Sequence, residues 1–235
     1  MSVHSKSDTQ PPLHYAAPSQ NIFSPDIHGE KINHLAKRVF DVCAACLLLL
    51  LLAPVFLALA IAVKSDGGPA FFRHGRIGIN NQPFNCLKFR SMSVTAPQDL
   101  AAYLALNPLA ALEWARTRKL QQDPRVTWLG TFLRATSLDE LPQLLNVLRG
   151  EMSLIGPRPV VREELDEHYC PHGRRAYAAT RPGITGLWQV SGRSDTSYQQ
   201  RVQLDIAYVT SWSFGQDIKI LLRTIPAVLV RKGAV

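Results

Sequence analysis

The dominant feature of the hydrophobic pattern is the run VCAACLLLLLLAPVFLALAIAV, from Val42 to Val63, which contains no charged residue. About 20 such residues cross a hydrocarbon core as one helix, so the run predicts a membrane helix. A long polar stretch precedes it and no small-residue cleavage site follows, which argues against a cleaved signal peptide. Pro54 interrupts the run. Proline lacks the backbone donor and clashes with the carbonyl four residues back, so a kink or break is expected there. The flanks are basic on both sides: Lys31, Lys37 and Arg38 before, Lys64, Arg73 and Arg76 after. A simple span carries a charge imbalance, and this one is balanced. Two topologies follow, a kinked full span and a helix that bends at Pro54 and returns to the face it entered.

Before the run, residues 1–33 mix Ser, Pro, Gln, His and Asp without periodicity and read as a disordered polar tail. After it, AFFRHGRIGINNQPFNCLKFR (70–90) sets aromatic and β-branched residues around Asn80-Asn81-Gln82-Pro83, a short β-hairpin made basic by Arg73, Arg76, Lys88 and Arg90. Residues 97–122 have helical periodicity broken at Asn107-Pro108. Their apolar positions, Leu100, Tyr103, Leu104, Leu109, Leu112 and Trp114, suit a membrane surface or a domain core equally. A helical segment follows Asp123-Pro124-Arg125, and a second helix ends near Gly150. After the loop SLIGPRPVV a helix is expected around 162–169. Residues 181–193, RPGITGLWQVSGR, are rich in turn formers and read as irregular. Two helices close the chain, at 196–211 and 215–231. The second combines Ile218, Leu221, Leu222, Ile225 and Leu229 with Lys219, Arg223, Arg231 and Lys232, a basic amphipathic pattern suited to an anionic membrane face.

The formal net charge is +8, which favours anionic partners: nucleic acid, acidic lipid or phosphorylated metabolites. The basic residues flank an apolar insert and surround acids, a distribution that disfavours nucleic acid. Four cysteines, at 43, 46, 86 and 170, make no disulfide framework in a chain of this size. Cys43 and Cys46 are spaced C-x-x-C but lie in the apolar run with no nearby histidine, and read as small buried side chains.

The candidate chemistry lies in RATSLDELPQLLNVLRGEMSLIGPRP, Arg134 to Pro159. Asp139 and Glu140 are adjacent at a predicted helix start. Ser137 and Glu140 have capping-box spacing, with Pro142 in the first turn, so one reading is a cap. Arg134, Arg149 and Arg158 surround the pair, and Gly156-Pro157-Arg158-Pro159 is a stiff loop that fixes the Arg158 head. A helix start among arginines is an anion site, and an acid within it is a candidate nucleophile or Mg²⁺ ligand. Adjacent carboxylates cannot flank a glycosidic bond from opposite sides. The chain has no Walker loop, zinc-finger spacing, Rossmann glycines or nucleophile elbow. Arg181 and Arg193, near turns, suit phosphate or nucleotide as well as solvent. Asp217 reads as a site-shaping acid or a helix-start residue, and Trp188 as a packing or base-stacking ring.

LDELPQLLNVLRGEMSLIGPRPVV resembles the signature of the bacterial sugar transferase family, in particular the small monotopic phosphoglycosyl transferases. KRVFDV, GPAFFRHGRIGINNQPFNCLKFRSM, DPRVTWLGTFLRATSLDELPQ, RPGITGLWQVSGR and DIAYVTSWSFGQDIKILLRT extend the resemblance over most of the chain after the tail. It implies transfer of a sugar-1-phosphate from a UDP-sugar to polyprenyl (undecaprenyl) phosphate, with release of UMP. The place is the cytoplasmic face of the bacterial inner membrane. The family's acid dyad falls on Asp139 and Glu140. Asp139 is implied to attack the sugar-linked phosphate and form a phosphosugar-aspartyl intermediate, with Mg²⁺ as cofactor and Asp139 as its ligand. Arg134 and Arg158 are implied phosphate binders, and the re-entrant helix falls on the Pro54 run. Two departures stand out: the break is Ala53-Pro54 where many relatives have Ser-Pro, and the usual basic residues near Trp128 and Thr131 are absent. The carboxy-terminal DIKILLRTIPAVLVRKGA resembles members that initiate exopolysaccharide with a hexose.

The expected fold is therefore α+β and mostly helical, with a re-entrant helix-break-helix membrane hairpin, a short β-hairpin and amphipathic surface helices. The expected division is a tail at 1–33, the membrane helix at 34–65, and a cytosolic catalytic domain at 66–235 lying on the membrane. A different class of function, a catalytically silent membrane scaffold recruiting glycan-assembly partners, would use the same basic surfaces.

Overall fold

The computed structural model describes residues 34–117, 119–192 and 196–229; the expected amino-terminal tail and Arg193 lie outside them. The apolar run forms α1 (His34–Lys64), long and apolar enough to cross a membrane. Pro54 lies inside this helix. The expected helix-break-helix hairpin is not shown: the helix continues through Pro54, as it can when the remaining hydrogen bonds are kept around a proline. Cys43 and Cys46 are exposed on α1, not buried as expected, since the helix turns most of its apolar surface away from the rest of the chain.

Both ends of α1 are fastened to the same body. Near its start, Lys37 Nζ lies 2.7 Å from Asp217 Oδ2, and Arg38 donates to the carbonyls of Val147 and Leu148 at 2.6 and 3.0 Å. Asp41 Oδ1 accepts the Leu154 N–H at 3.2 Å. Near its end, Phe56, Leu59, Ala60 and Val63 pack with Phe89 and Leu133, and Arg90 donates to the Val63 carbonyl at 2.8 Å and pairs with Asp66.

The expected hairpin is present. β1 (Phe71–Ile77) pairs antiparallel with β2 (Pro83–Phe89), with Phe72 opposite Lys88, His74 opposite Cys86 and Arg76 opposite Phe84. Asn80 and Asn81 supply the left-handed turn, at φ 55° and 58°, a conformation asparagine tolerates. The expected interrupted helix is α2 (Ala96–Leu106) and α3 (Pro108–Thr117), joined at Asn107. α2 buries no residue, and Leu106, Leu109 and Leu112 are exposed, so this pair stands off the core.

α4 (Trp128–Thr136) and α5 (Gln143–Arg149) bracket a 3-10 turn, Leu138–Glu140. β3 (Ser153–Ile155) then pairs in parallel with β4 (Gly183–Thr185), separated in sequence by α6 (Arg162–His168) and α7 (Pro171–Ala178). The segment read as irregular therefore contains a strand. Its Gly183 is there for close approach: a Cβ on it would meet the Gly156 nitrogen at 2.1 Å. α8 (Tyr198–Thr210) and α9 (Phe214–Leu229) complete the fold. The main core joins Ala45 of α1, Cys86 of β2, Val147 of α5, Ile155 of β3, Tyr208 of α8 and Ile220 of α9. The described residues are mostly helical with the β-hairpin, as expected, and add a second small sheet that was not expected.

Candidate active site

The acid pair is held by the joint between α4 and α5. The Thr127 hydroxyl accepts the Gly130 N–H at 2.9 Å and starts α4; a Cβ on Gly130 would meet the Ser91 carbonyl oxygen at 1.9 Å, so only glycine lets the helix lie on that strand end. Ser137 ends α4 in the left-handed conformation, φ 57°, and its side chain makes no cap. This corrects the capping-box reading of Ser137 and Glu140. Once Ser137 closes the preceding helix, its hydroxyl no longer faces the next one. Glu140 instead points its carboxylate at a cation on the hairpin.

That cation is Lys88, half-buried on β2. Its Nζ lies 2.6 Å from Glu140 Oε1 and 3.3 Å from Asp139 Oδ2. Asp139 is 8% exposed. Burial raises its pKa above the ordinary carboxylate value, Glu140 adds to the rise, and Lys88 and Arg134 oppose it. Burial alone would depress the Lys88 pKa, but the two carboxylates outweigh it and hold the ammonium charged. Sequence reading noted Lys88 only as part of a basic hairpin; alternation along the strands was the signal that could have placed it.

The same hairpin face continues from Lys88 to His74 and Arg76. Burial, then Arg76, then Lys88 lower the His74 pKa, and burial lowers that of Arg76, with Arg158 adding to it. Lys88, Arg76 and Arg158 therefore form a line of cationic groups leading away from the acid pair, with His74, held toward its neutral form, between them. Such a line suits a polyanion. Cys86, between them, is buried, which pushes its thiol up to about 11 and keeps it unreactive.

Arg134 leaves the last turn of α4, donates to Ser91 Oγ at 3.0 Å, and acts electrostatically on Asp139. Arg158 stands over the Trp188 ring, 5.4 Å from its centroid, and Arg201 over the same ring at 4.9 Å. Trp188 is thus a packing ring for arginines. The Arg158 backbone is hydrogen-bonded to buried Asp205, which also accepts the Tyr169 hydroxyl at 2.9 Å; burial raises Asp205 to about 7. Two residues on, the Val160 N–H donates to the Tyr177 hydroxyl at 3.2 Å. The Pro-Arg-Pro loop is pinned at both sides.

Two of the sequence-predicted residues lie elsewhere. Arg181 donates to the Gly150 carbonyl at 2.7 Å, at the end of α5 away from the acid pair. Asp217 is fully buried and faces Lys37, the Tyr208 hydroxyl at 2.8 Å and the Trp212 indole at 3.1 Å, so it anchors α1.

For a metal, the relevant observation is that two carboxylate oxygens converge on one cation position, now taken by Lys88 Nζ. Among the described residues no group of three or more His, Cys, Asp or Glu could hold an ion. Mg²⁺ is commonly bound through one or two carboxylates plus substrate phosphates, and Asp139 with Glu140 fits that donor set.

The family model for bacterial sugar transferases matches residues 32–231. This chain belongs to that family. It is 51% identical over 219 residues to the exopolysaccharide production protein ExoY of Rhizobium meliloti, covering 92% of this chain and 96% of the relative. It is 44% identical over 209 residues to a UDP-glucose:undecaprenyl-phosphate glucose-1-phosphate transferase of Caulobacter vibrioides, covering 85% and 72%. An undecaprenyl-phosphate galactose phosphotransferase of Salmonella typhimurium is 44% identical over 244 residues, covering 98% of this chain and 51% of the relative. As a bacterial sugar transferase the chain is an enzyme.

Proposed function

We propose that this enzyme transfers a hexose-1-phosphate from a UDP-sugar to undecaprenyl phosphate at the cytoplasmic face of the bacterial inner membrane, releasing UMP. It is the first membrane step of exopolysaccharide or another surface glycan. The observation that carries this reading is Asp139: a buried carboxylate at a helix joint, with the Lys88 ammonium beside it and the charge of Arg134 acting on it, in a chain similar to named undecaprenyl-phosphate sugar-phosphate transferases.

The donor lies along the hairpin face. Lys88 is opposite Phe72, four residues along β1 from Arg76, so the two backbone positions are about 14 Å apart and the long side chains shorten the gap. The sugar-linked phosphate rests at Asp139, Lys88 and Arg134, and the nucleotide end extends toward Arg76 and Arg158. An Asp139 oxygen attacks the sugar-linked phosphorus, the bond to UMP breaks, and a phosphosugar-aspartyl ester forms. The acceptor phosphate then attacks the same phosphorus, restoring the carboxylate and leaving a lipid diphosphate sugar. Basic side chains here neutralise charge that spreads over the phosphoryl oxygens. With Lys88 moved onto the donor phosphate, Asp139 and Glu140 would hold Mg²⁺, which would supply further neutralisation of the diphosphate.

The membrane part of the proposal is a monotopic one, with α1 entering and leaving on the side of the catalytic body. Its support is that Lys37, Arg38 and Asp41 at one end and Val63 at the other are all bonded to that body. The deciding assay is UMP release from a panel of UDP-hexoses, dependent on undecaprenyl phosphate and Mg²⁺. Asp139→Asn should lower that release by about a thousandfold or more. Unchanged turnover in that variant would remove Asp139 as nucleophile, and no release by the native chain with any UDP-hexose would leave the scaffold reading.

A further inference from the structure

The helix that leads into the acid pair has three distinct faces. Leu133 and Gly130 of α4 are buried and Leu129 is partly so, packed with Phe56, Leu59, Ala60 and Val63 of α1 and with Phe89. Arg134 leaves on another face, toward Ser91 and the field of Asp139. The remaining stripe carries Trp128 and Phe132, one turn apart, and both point outward: Trp128 is 85% and Phe132 46% exposed. An indole this exposed on a packed helix calls for apolar material to cover it. The carboxy-terminal half of α1, which packs with Leu129 and Leu133 on the buried face of α4, likewise exposes Leu57 and Ile61.

We infer that the Trp128–Phe132 stripe of α4 seats the hydrocarbon chain of the lipid acceptor, namely the isoprene units nearest its phosphate. The inference rests on the proposed reading that the acceptor is a polyprenyl phosphate. Such a molecule has two unlike halves, and its site must be an apolar track that ends at cations and at the nucleophile. α4 has this order along its axis. Trp128 stands at its first residue, Phe132 follows, Arg134 is in its last turn, and Asp139 lies in the 3-10 turn after it. Nine residues of helix span about 14 Å, a length of a few isoprene units. A bulk phospholipid would cover the stripe equally well; what favours the acceptor is that the helix bearing the stripe leads directly into the turn that carries the acid pair.

The test uses the full chain in phospholipid vesicles with undecaprenyl phosphate bearing a diazirine in the isoprene units next to the phosphate. Irradiation should label the peptide spanning 128–136, and unmodified undecaprenyl phosphate should compete the label away. Trp128→Ala and Phe132→Ala should each raise the KM for undecaprenyl phosphate about tenfold, with the KM for the UDP-sugar unchanged. Labelling that falls elsewhere overturns the inference. So does labelling of the same helix by a diazirine phospholipid that undecaprenyl phosphate does not displace, which would mark a bilayer contact only. Labelling needs no turnover. Competed label without UMP release would sink the transfer reading and keep the seat, whereas UMP release without label on α4 would sink the seat alone.

Discussion

Asp139 is subject to opposing pressures. Burial and the neighbouring Glu140 favour its neutral form, and Lys88 and Arg134 favour the carboxylate, with the net direction upward. A nucleophile must be ionised to attack, so its raised pKa places the acid limb of the activity profile above the ordinary carboxylate range. Lys88→Met removes a cation that lowers this pKa. The limb should therefore move to higher pH, with the loss of activity greatest at the acid end and partly recovered on raising pH. A pH profile of kcat/KM for UMP release checks this, and a limb that stays in place would mean Lys88 does not set the charge of Asp139. The acids and Arg134 were legible because they are neighbours in sequence. Lys88 was not, because 51 residues separate it from Asp139 and only the strand pairing brings them together. The capping-box pattern misled for a local reason: Ser137 closes α4 in a left-handed turn, which spacing does not reveal. A capping box does form elsewhere, at Ser197 and Gln200 of α8.

At the scale of elements, the acid pair is placed by how α5 joins the hairpin. Asn146, fully buried on α5, does this with one side chain: it accepts the Leu87 N–H at 2.9 Å and donates to the Asn85 carbonyl at 2.8 Å and to Glu151 at 2.6 Å. The amide thus acts as a partner strand for the outer edge of β2, which carries Lys88. Asn146→Ala would leave the buried Leu87 N–H without this partner and remove the bond to the Asn85 carbonyl, a cost of about 2 kcal/mol. The expected result is a lower unfolding midpoint and a weaker Lys88–acid pair contact, read by thermal melting in detergent and by the pH profile. An unchanged midpoint would show that the edge is held by other contacts. The long periodic helices and the hairpin were legible because each carries its pattern over many residues. β3 and β4 were not. They are three-residue strands with glycines beside or within them that look like turn formers, while Gly156, just after β3, and Gly183, in β4, in fact allow two backbones to touch.

At the scale of the whole molecule, the question is how one long apolar helix serves a phosphoryl-transfer site. A straight helix of 31 residues would separate its ends by about 45 Å, more than a bilayer core. In a true span the two ends face different compartments, and a single body cannot hold both outside the membrane. Here one end is fixed by buried Lys37 and Asp217 and by the bonds of Arg38 to α5, and the other by Arg90, the residue after the strand that carries Lys88. The balanced basic flanks read from the sequence agree with ends on one side, although Pro54 makes no gap in the helix. Labelling decides the matter. With Cys43, Cys46, Cys86 and Cys170 replaced, a single cysteine is introduced at Lys31, before the helix, or at exposed Ser65, after it. In spheroplasts both should resist a membrane-impermeant maleimide, and both should react once the membrane is opened. A third cysteine at exposed Leu51 in the middle of α1 should stay unreactive throughout, because lipid covers it. Reaction of one end alone in intact spheroplasts would establish a span. The contacts of Lys37 and Arg90 with a common body would then have to be broken in the membrane, and the acid pair would be held from one end of α1 only.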